Sequence, residues 1–299
     1  MKKTLERVAV ILLALASFVL IVEISKVEAW DALLWAVLMF ICLDVEKDRT
    51  ELSWLKFLPL GLILMAVPYY IYKDAANYWW KIADWQMTSV RHIWNWDHFF
   101  AAIPLNNPQW IRQIYSAAWL DKRLAWVYNY GFAFTIWAAV IRSFLARDPK
   151  KMARYTLASH LLQTPLIIPF YNTIELHEVW WVMKWPDLLG RDKWMDLYHL
   201  KLNAQNCFPS MHTSIAFAVL LLAQREKGPL FRWGMTLYAA AVIFSTLYLQ
   251  IHWVIDVLAG LLFGYLVVKL TDYLLDGIRW QQLFRRKKQI QVERGVAAQ

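Results

Sequence analysis

The stretch from Asn206 to Phe217, NCFPSMHTSIAF, places a serine and a histidine at the start of an apolar run. Further along, STLYLQIHWVIDVLAG brings a second histidine, His252, followed four residues later by Asp256. Residues at i and i+4 share one face of a helix, so this histidine and aspartate can contact each other. A carboxylate bound to one imidazole nitrogen fixes the tautomer and leaves the other nitrogen free as a nucleophile or a base. The spacing therefore predicts a histidine that performs nucleophilic or acid–base chemistry.

The first stretch adds a second histidine at a helix start. Pro209 suits a first helical turn because its missing N–H has no helical partner there, and Ser210 adds a hydroxyl. Free N–H groups at a helix N-terminus, together with the helix dipole, bind anions. A lone histidine or aspartate at such a place is usually only a polar tip or a paired group. His212 and His252 at matched depth, one with a spaced aspartate, instead indicate a catalytic anion site.

Composition places the chain in the membrane class. It has 299 residues, of which 59% are hydrophobic and 18% are charged. Average soluble domains are about half apolar and about a quarter charged. The 19 Trp residues are an excess typical of membrane–water interfaces. The net charge of +9 comes mainly from short gaps between apolar runs and from the tail, which argues against a nucleic-acid partner.

Apolar runs long enough to suggest membrane helices recur along the chain. A helix needs roughly 20 residues to cross the hydrocarbon core. The runs are Val8–Val22, Ala32–Leu43, Phe57–Tyr72, Leu124–Ile141, Tyr155–Tyr171, Phe208–Ala223, Trp233–Ile251 and Val254–Leu270. We therefore predict an all-α, polytopic membrane bundle of about eight transmembrane helices. The second run is the weakest and could instead be re-entrant.

The distribution of Lys and Arg predicts the orientation. With eight spans and a cytoplasmic N-terminus, the segments assigned to the inside hold most of the 32 basic residues, as the positive-inside rule requires. Both termini are then cytoplasmic, and both histidines face the outside or periplasm. Cys42 and Cys207 are predicted near opposite faces, which argues against a disulfide between them.

We interpret residues 1–299 as one membrane domain with four parts. Residues 1–72 hold the N-terminal spans, 124–275 the catalytic helices and 276–299 a basic cytoplasmic tail. Residues 73–123 form an outer, Trp-rich segment that includes NYWWKIADWQMTSVRHIWNWDHFF. This composition predicts interfacial helices, which form an aromatic belt or, alternatively, a lid for a lipid substrate.

The two motifs together resemble the type 2 phosphatidic acid phosphatase superfamily of membrane lipid phosphatases and phosphotransferases. Its signature is P-S-x-x-H followed by S-R-x5-H-x3-D, and this chain has PSMH at 209–212 and ST, five residues, His252, three residues and Asp256. The resemblance implies that His252 attacks phosphorus and forms a phosphohistidine. It implies that Asp256 orients His252, and that His212 protonates the leaving oxygen and then acts as a base.

The chain departs from this signature in its phosphate-binding cations. Thr246 replaces the expected Arg, and no Arg-Pro pair of a K-x6-R-P motif occurs. These departures resemble the inositol phosphorylceramide synthase branch and favour phosphotransfer. Ser210 and Lys201 are our candidate substrate-binding residues. The other candidate cations on the outer side are Lys122, Arg123, Arg191 and Lys193.

The sequence thus predicts a membrane lipid phosphotransferase of the plasma or inner membrane, acting on a phospholipid or lipid phosphate at the outer leaflet, with a polyol or sugar as a candidate acceptor. The alternatives are a lipid phosphate or isoprenoid diphosphate phosphatase and a non-catalytic lipid-binding relative. A transporter would place polar residues at mid-membrane depth, whereas here they gather at one interface. The sequence identifies neither the lipid nor the oligomeric state.

Two other clusters raise the question of a metal. They are His92, Asp97 and His98, and Glu175, His177 and Glu178. The second lacks the H-E-x-x-H spacing, and neither offers a dependable ligand set. We therefore predict no metal and no cofactor.

Overall fold

The computed structural model describes residue 36 and residues 40–73, 75–90 and 94–277. The first predicted span lies outside these residues, as do most of the second and nearly all of the basic tail.

The described part of the chain is built almost entirely of helices. They are α1 (Trp54–Lys73), α2 (Ala75–Ser89), α3 (Asp97–Ala102), α4 (Gln109–Ile114), α5 (Ala118–Leu145), α6 (Pro149–Thr156), α7 (Gln163–Thr173), α8 (Val179–Val182), α9 (Leu197–Ala204), α10 (Met211–Ala223), α11 (Pro229–Tyr248) and α12 (Val254–Asp272). Short 3₁₀ segments lie at Glu46–Asp48 and Arg191–Lys193, and π-helical turns at Leu157–Leu161 and Tyr273–Gly277. The prediction of an all-α fold is confirmed.

One small sheet joins two distant segments. Strands β1 (Trp94–Asn95) and β2 (Ile174–Glu175) pair in parallel, and the Asn95 side chain donates to Glu175 Oε2 at 2.8 Å. The sheet fastens the Trp-rich outer segment to the end of α7.

The prediction of eight spans is not confirmed. In the described part of the chain, two helices are long and apolar enough to cross a membrane, Pro229–Tyr248 and Val254–Gly277. The helix pair Ala118–Gly131 and Ala133–Leu145, bent by 52°, would be a third if it forms one span.

Other predicted spans do not reach the length and apolarity of a membrane crossing in the described residues. Helix α1 contains Pro59 and Pro68, each of which removes a backbone donor. The run Tyr155–Tyr171 is divided between α6, the π turn at Leu157–Leu161 and α7. Helix α10 has only 13 residues.

The core lies around α10, which packs against α5, α11 and α12. Two glycines of α12 allow the closest approach. A Cβ at Gly260 would lie 2.6 Å from the Ser210 carbonyl oxygen, and one at Gly264 would lie 2.5 Å from that of Ser214. Only a residue without a side chain fits this contact, which fixes the start of α10 against the start of α12.

Candidate active site

The predicted pair of His252 and Asp256 is in contact. The His252 Nδ1 and Asp256 Oδ2 atoms are 3.1 Å apart, and both side chains are buried. His252 lies just before α12 rather than within it, because Trp253 is the N-cap residue. The His252 and Ile251 N–H groups both donate to the Thr246 carbonyl oxygen at 3.1 Å. This turn holds the histidine backbone in place.

The N-terminus of α12 is capped by Asn106. The Asn106 carbonyl oxygen accepts from Val254 N–H, and the Asn106 Oδ1 accepts from Ile255 N–H, both at 2.9 Å. The expectation of free N–H groups that bind an anion at this helix end was therefore wrong for these two groups. Their hydrogen-bonding capacity is already used within the protein.

A buried thiol completes the pair. The Cys207 Sγ atom lies 3.0 Å from Asp256 Oδ2 and 3.2 Å from His252 Nδ1. Burial, and then the Asp256 carboxylate, raise the pKa of Cys207 well above its usual value, so the thiol remains protonated and donates. The other carboxylate oxygen, Asp256 Oδ1, has no hydrogen-bond partner.

The imidazole rings of His212 and His252 lie close to each other. The two ring centroids are 6.2 Å apart, and the His212 ring stacks on Tyr128 of α5 with centroids 4.3 Å apart. The stacking fixes the plane of the imidazole. The two histidines predicted from their spacing therefore share one site.

Ser210 has a structural position. It is the N-cap of α10, and Pro209 lies before the helix rather than in its first turn, which corrects the expectation for Pro209. The buried Ser210 hydroxyl accepts from Thr213 N–H at 3.3 Å and donates to Thr213 Oγ1 at 2.9 Å. The Ser210 N–H donates to the Asp256 carbonyl oxygen at 3.1 Å, which links the starts of α10 and α12.

Both histidines line a pocket of about 350 Å³. Its other walls come from α2, α5, α7, α9 and the segments around Glu178 and Cys207. The lining residues are Trp79, Trp80, Ala83, Tyr128, Tyr171, Glu178, Leu202, Asn203, Gln205, Asn206, Cys207, Met211, His212 and His252. The predicted substrate-binding residues Ser210 and Lys201 are not among them, and their role stays a prediction.

Among the residues that the structure describes, no lysine or arginine lines this pocket. Arg191, one of the predicted cations, is buried and pairs with Glu178, which lines the pocket. Its five N–H groups all donate within the protein, to Glu178, Asp187 and Asn203. Burial alone would lower the pKa of Arg191, but the Glu178 and Asp187 carboxylates raise it above its ordinary value. Arg191 has no donor left for a phosphate.

The residues of the two clusters weighed as metal sites pair with different partners. Asp97 accepts from the His177 N–H at 2.8 Å and contacts His177 Nδ1 at 2.9 Å, whereas His98 is exposed and His92 lies outside the described residues. Glu175 contacts Asn95 and Glu178 contacts Arg191. Among the described residues, the members of each cluster do not gather their ligand atoms at one point.

The comparisons with known proteins point to the same part of the chain. Residues 169–280 match the model of the PAP2 superfamily. All four motif residues, from Ser210 to Asp256, lie inside the matched range. The PAP2 match supports a phosphatase or phosphotransferase type of activity and association with a membrane.

A relative matches a short part of the chain. The uncharacterized protein MJ0662 of Methanocaldococcus jannaschii is 38% identical over 63 residues. The match covers 20% of this chain and 25% of that relative. No solved structure matches the chain.

Sequence reasoning missed four residues of the site: Asn106, Tyr128, Cys207 and Glu178. Each reaches the site through a contact between segments far apart in sequence, such as Asn106 with Ile255, 149 positions away. Only Cys207 had a local signal, because it lies three positions before Ser210 in the motif.

Proposed function

We propose that the protein is an integral membrane phosphotransferase that takes a phosphorus-containing group from a phospholipid through a phosphohistidine and passes it to an alcohol. The observation that carries the proposal is the pocket in which His212 faces the His252–Asp256 pair, within the range that matches the PAP2 superfamily.

The geometry suits two-step transfer. With Asp256 bound at Nδ1, the His252 Nε2 lone pair attacks phosphorus as the bond to the lipid oxygen breaks. Protonated His212 donates its proton to that leaving oxygen. The neutral His212 then accepts a proton from the acceptor hydroxyl, whose oxygen attacks phosphorus and releases His252.

The charge of the pocket favours a phosphodiester substrate. A phosphate monoester carries between one and two negative charges at neutral pH, whereas a diester carries one. With no lysine or arginine among the described lining residues, and with the donors of Arg191 committed to Glu178, Asp187 and Asn203, a single negative charge is the better match.

The remaining walls suit a hydroxyl-bearing group. Three pocket amides each use one end on protein: Asn203 Oδ1 accepts from Arg191, Gln205 Nε2 donates to Ala83 O, and Asn206 Nδ2 donates to Gln86 Oε1. Their other ends can bind hydroxyls. Trp79 and Trp80 add aromatic faces to the same pocket, which supports a polyol or sugar as headgroup or acceptor.

Hydrolysis of a lipid phosphate is the second candidate, favoured by the PAP2 match itself. It uses the same residues and differs only in that water takes the phosphorus. Thr246 does not replace the missing arginine, because its buried hydroxyl donates to the Ile243 carbonyl oxygen at 2.7 Å.

The decisive experiment follows phosphorus from labelled lipids. Purified protein in vesicles receives a phosphodiester lipid or the matched monoester, with and without a panel of polyols and sugars, and products are identified by mass spectrometry. We expect label on an alcohol, a preference for the diester, and no reaction with His252→Ala. Inorganic phosphate as the dominant product with every acceptor at saturation would favour the phosphatase, and no turnover of any lipid would leave a non-catalytic relative.

We also propose that the pocket faces the outside and the opposite ends of the helices face the cytoplasm. The support is the cluster of basic residues at those opposite ends, including Lys150, Lys151 and Arg154. Cysteines placed at 150 and at 201 test this with an impermeant thiol reagent. We expect labelling from outside at 201 but not at 150, and the reverse pattern would invert the proposed sidedness.

A further inference from the structure

Three different ligand atoms converge at the candidate active site. Cys207 Sγ, His252 Nδ1 and Asp256 Oδ2 are 3.0, 3.1 and 3.2 Å apart in pairs. The side chains are buried, yet Cys207 and His252 both line the pocket. An ion that entered the pocket would meet Cys207 and His252, and Asp256 Oδ2 lies 3.0 Å from the sulfur and 3.1 Å from Nδ1. In the part of the chain that the structure describes, Cys207, His252 and Asp256 are the side chains of metal-binding type whose ligand atoms lie close enough together to share one ion.

The donor set is that of zinc. Zn²⁺ binds thiolate sulfur at about 2.3 Å, imidazole nitrogen at about 2.0 Å and carboxylate oxygen at about 2.0–2.2 Å, with tetrahedral geometry. These bond lengths require ligand atoms roughly 3.3–3.6 Å apart. Each side of the present triangle needs to open by only a few tenths of an ångström. The fourth position would lie toward the pocket and hold water. The unpartnered Asp256 Oδ1 offers a further oxygen for the ion or for its water.

We infer that Cys207, His252 and Asp256 form an inhibitory zinc site that shares its atoms with the catalytic pair. The inference deepens the proposed function, on which its effect on turnover rests.

Inhibition follows from the nitrogen that the ion occupies. In the active pair His252 carries its proton on Nδ1, facing Asp256, and keeps the Nε2 lone pair for phosphorus. Coordination at Nδ1 moves that proton to Nε2, which then has no lone pair to attack with. The thiol releases its proton to water as the sulfur–zinc bond forms. Zinc binding and nucleophilic attack are therefore mutually exclusive.

The test measures binding directly before it measures activity. Protein freed of metal with a chelator is titrated with Co²⁺, a tetrahedral substitute for Zn²⁺ whose thiolate complexes absorb by charge transfer. We expect a thiolate–cobalt band that saturates at one ion per chain and is abolished by Zn²⁺ in competition. Cys207→Ser should lose the band, whereas Cys42→Ala, which removes the cysteine near the other end of the helices, should keep it.

A second variant distinguishes loss of a metal ligand from misfolding, since a misfolded Cys207→Ser protein would also lose the band. Asp256→Asn retains the thiol and should bind Co²⁺ at least about tenfold more weakly while its thermal unfolding remains cooperative. In the transfer assay, Zn²⁺ should abolish wild-type turnover and a chelator should restore it.

Three results would overturn the inference: no thiolate band in the wild type, an unchanged band in Cys207→Ser, or wild-type turnover that Zn²⁺ leaves unchanged or raises. Because the cobalt spectrum needs no substrate, the two proposals can fail separately. A normal band in a protein that turns over no lipid would leave the metal site standing and remove the proposed function.

Discussion

His252 is held by more than its aspartate. Its N–H donates to the Thr246 carbonyl oxygen, its Nδ1 lies beside both Cys207 and Asp256, and the helix that follows is capped by Asn106. A side chain held by contacts from several segments loses little freedom when it reacts, which is how a protein keeps a nucleophile oriented.

Removing His252, the proposed nucleophile, should stop the proposed reaction. We expect His252→Ala to reduce turnover to background, because no other described group lies where it can replace Nε2. The measurement is product release from a labelled phospholipid. His98→Ala is the matched control, since His98 is exposed, and it should retain wild-type turnover. Substantial activity in His252→Ala would exclude the phosphohistidine route.

Removing His212, the proposed general acid, should slow the reaction and leave the proposed nucleophile in place. Loss of one acid–base group typically costs on the order of 10² to 10⁴ in rate. We expect His212→Ala to show this loss and to accumulate labelled enzyme when the lipid has a good leaving group. Rapid quenching followed by gel analysis under alkaline conditions, where phosphohistidine survives, measures the intermediate. A variant that turned over at the wild-type rate would remove His212 from the mechanism.

Among single residues, the sequence predicted only contacts between residues that are close together in the chain. The contact of His252 with Asp256 was predicted from their i, i+4 spacing, although His252 lies just before α12 and is held by the turn to Thr246. The stacking of Tyr128 on His212 could not be predicted, because it depends on how α5 packs against α10. The hydrogen bonds of Arg191 could not be predicted either. The sequence showed its charge but not the three residues that accept from its guanidinium.

At the scale of elements, the site depends on the contact between α10 and α12. The Gly260 and Gly264 positions let the backbones of the two helices touch, and the Ser210 N–H crosses from one to the other. Any change in this spacing would move His212 relative to His252.

A side chain at Gly264 should therefore damage both stability and activity. Overpacking a tight core typically costs about 1–3 kcal/mol. We expect Gly264→Val to lower the unfolding temperature and to reduce turnover, as followed by tryptophan fluorescence and the transfer assay. Gly234→Ala is the control, because its nearest neighbour is the flexible Ile41 side chain. Equal effects at both positions would contradict the role of the α10–α12 contact.

The helices themselves were predictable in kind but not in extent. Apolar runs marked α11 and α12, yet the run Tyr155–Tyr171 proved to be interrupted by a π turn. The β1–β2 pair could not be foreseen, because two residues per strand carry no periodicity. Such pairing is decided by the segments that bring the strands together.

At the scale of the molecule, clusters of polar and charged side chains lie at both ends of the helices. Opposite the pocket, Asp48 accepts from Arg142, Lys151 and the N–H groups of Lys227 and Gly228. Arg142 and Lys151 also pair with Glu226. This buried network joins the segment before α1 to α5, α6 and the turn before α11.

The Asp48 carboxylate should make stability depend on acid pH. Burial alone would raise the pKa of Asp48, but hydrogen bonds, first from Arg142, hold it below its ordinary value. A lowered folded-state pKa stabilises the fold fully above the unfolded value of about 3.9, and the contribution is lost as the pH falls below it. Asp48→Asn should unfold at a lower temperature than the wild type at pH 7, and the difference should shrink below about pH 4.

The exposed Asp192 provides the control for this prediction. Asp192→Asn should match the wild type at every pH. A difference between Asp48→Asn and the wild type that stayed constant down to pH 3 would show that the ionised carboxylate is not what stabilises the network.

The 13 residues of α10 bear on the depth at which the pocket would lie in a bilayer. At 1.5 Å per residue the helix is only about 20 Å long, whereas the hydrocarbon core of a typical bilayer is about 30 Å thick. His212 is the second residue of this helix, and the turn with Glu226 follows its end. If the longer helices α11 and α12 cross the bilayer, the shorter α10 between them places the pocket below the level of the headgroups unless the surrounding lipid thins. Hydrophobic mismatch should thus tune the enzyme, with faster turnover in bilayers of short acyl chains than in those of long ones.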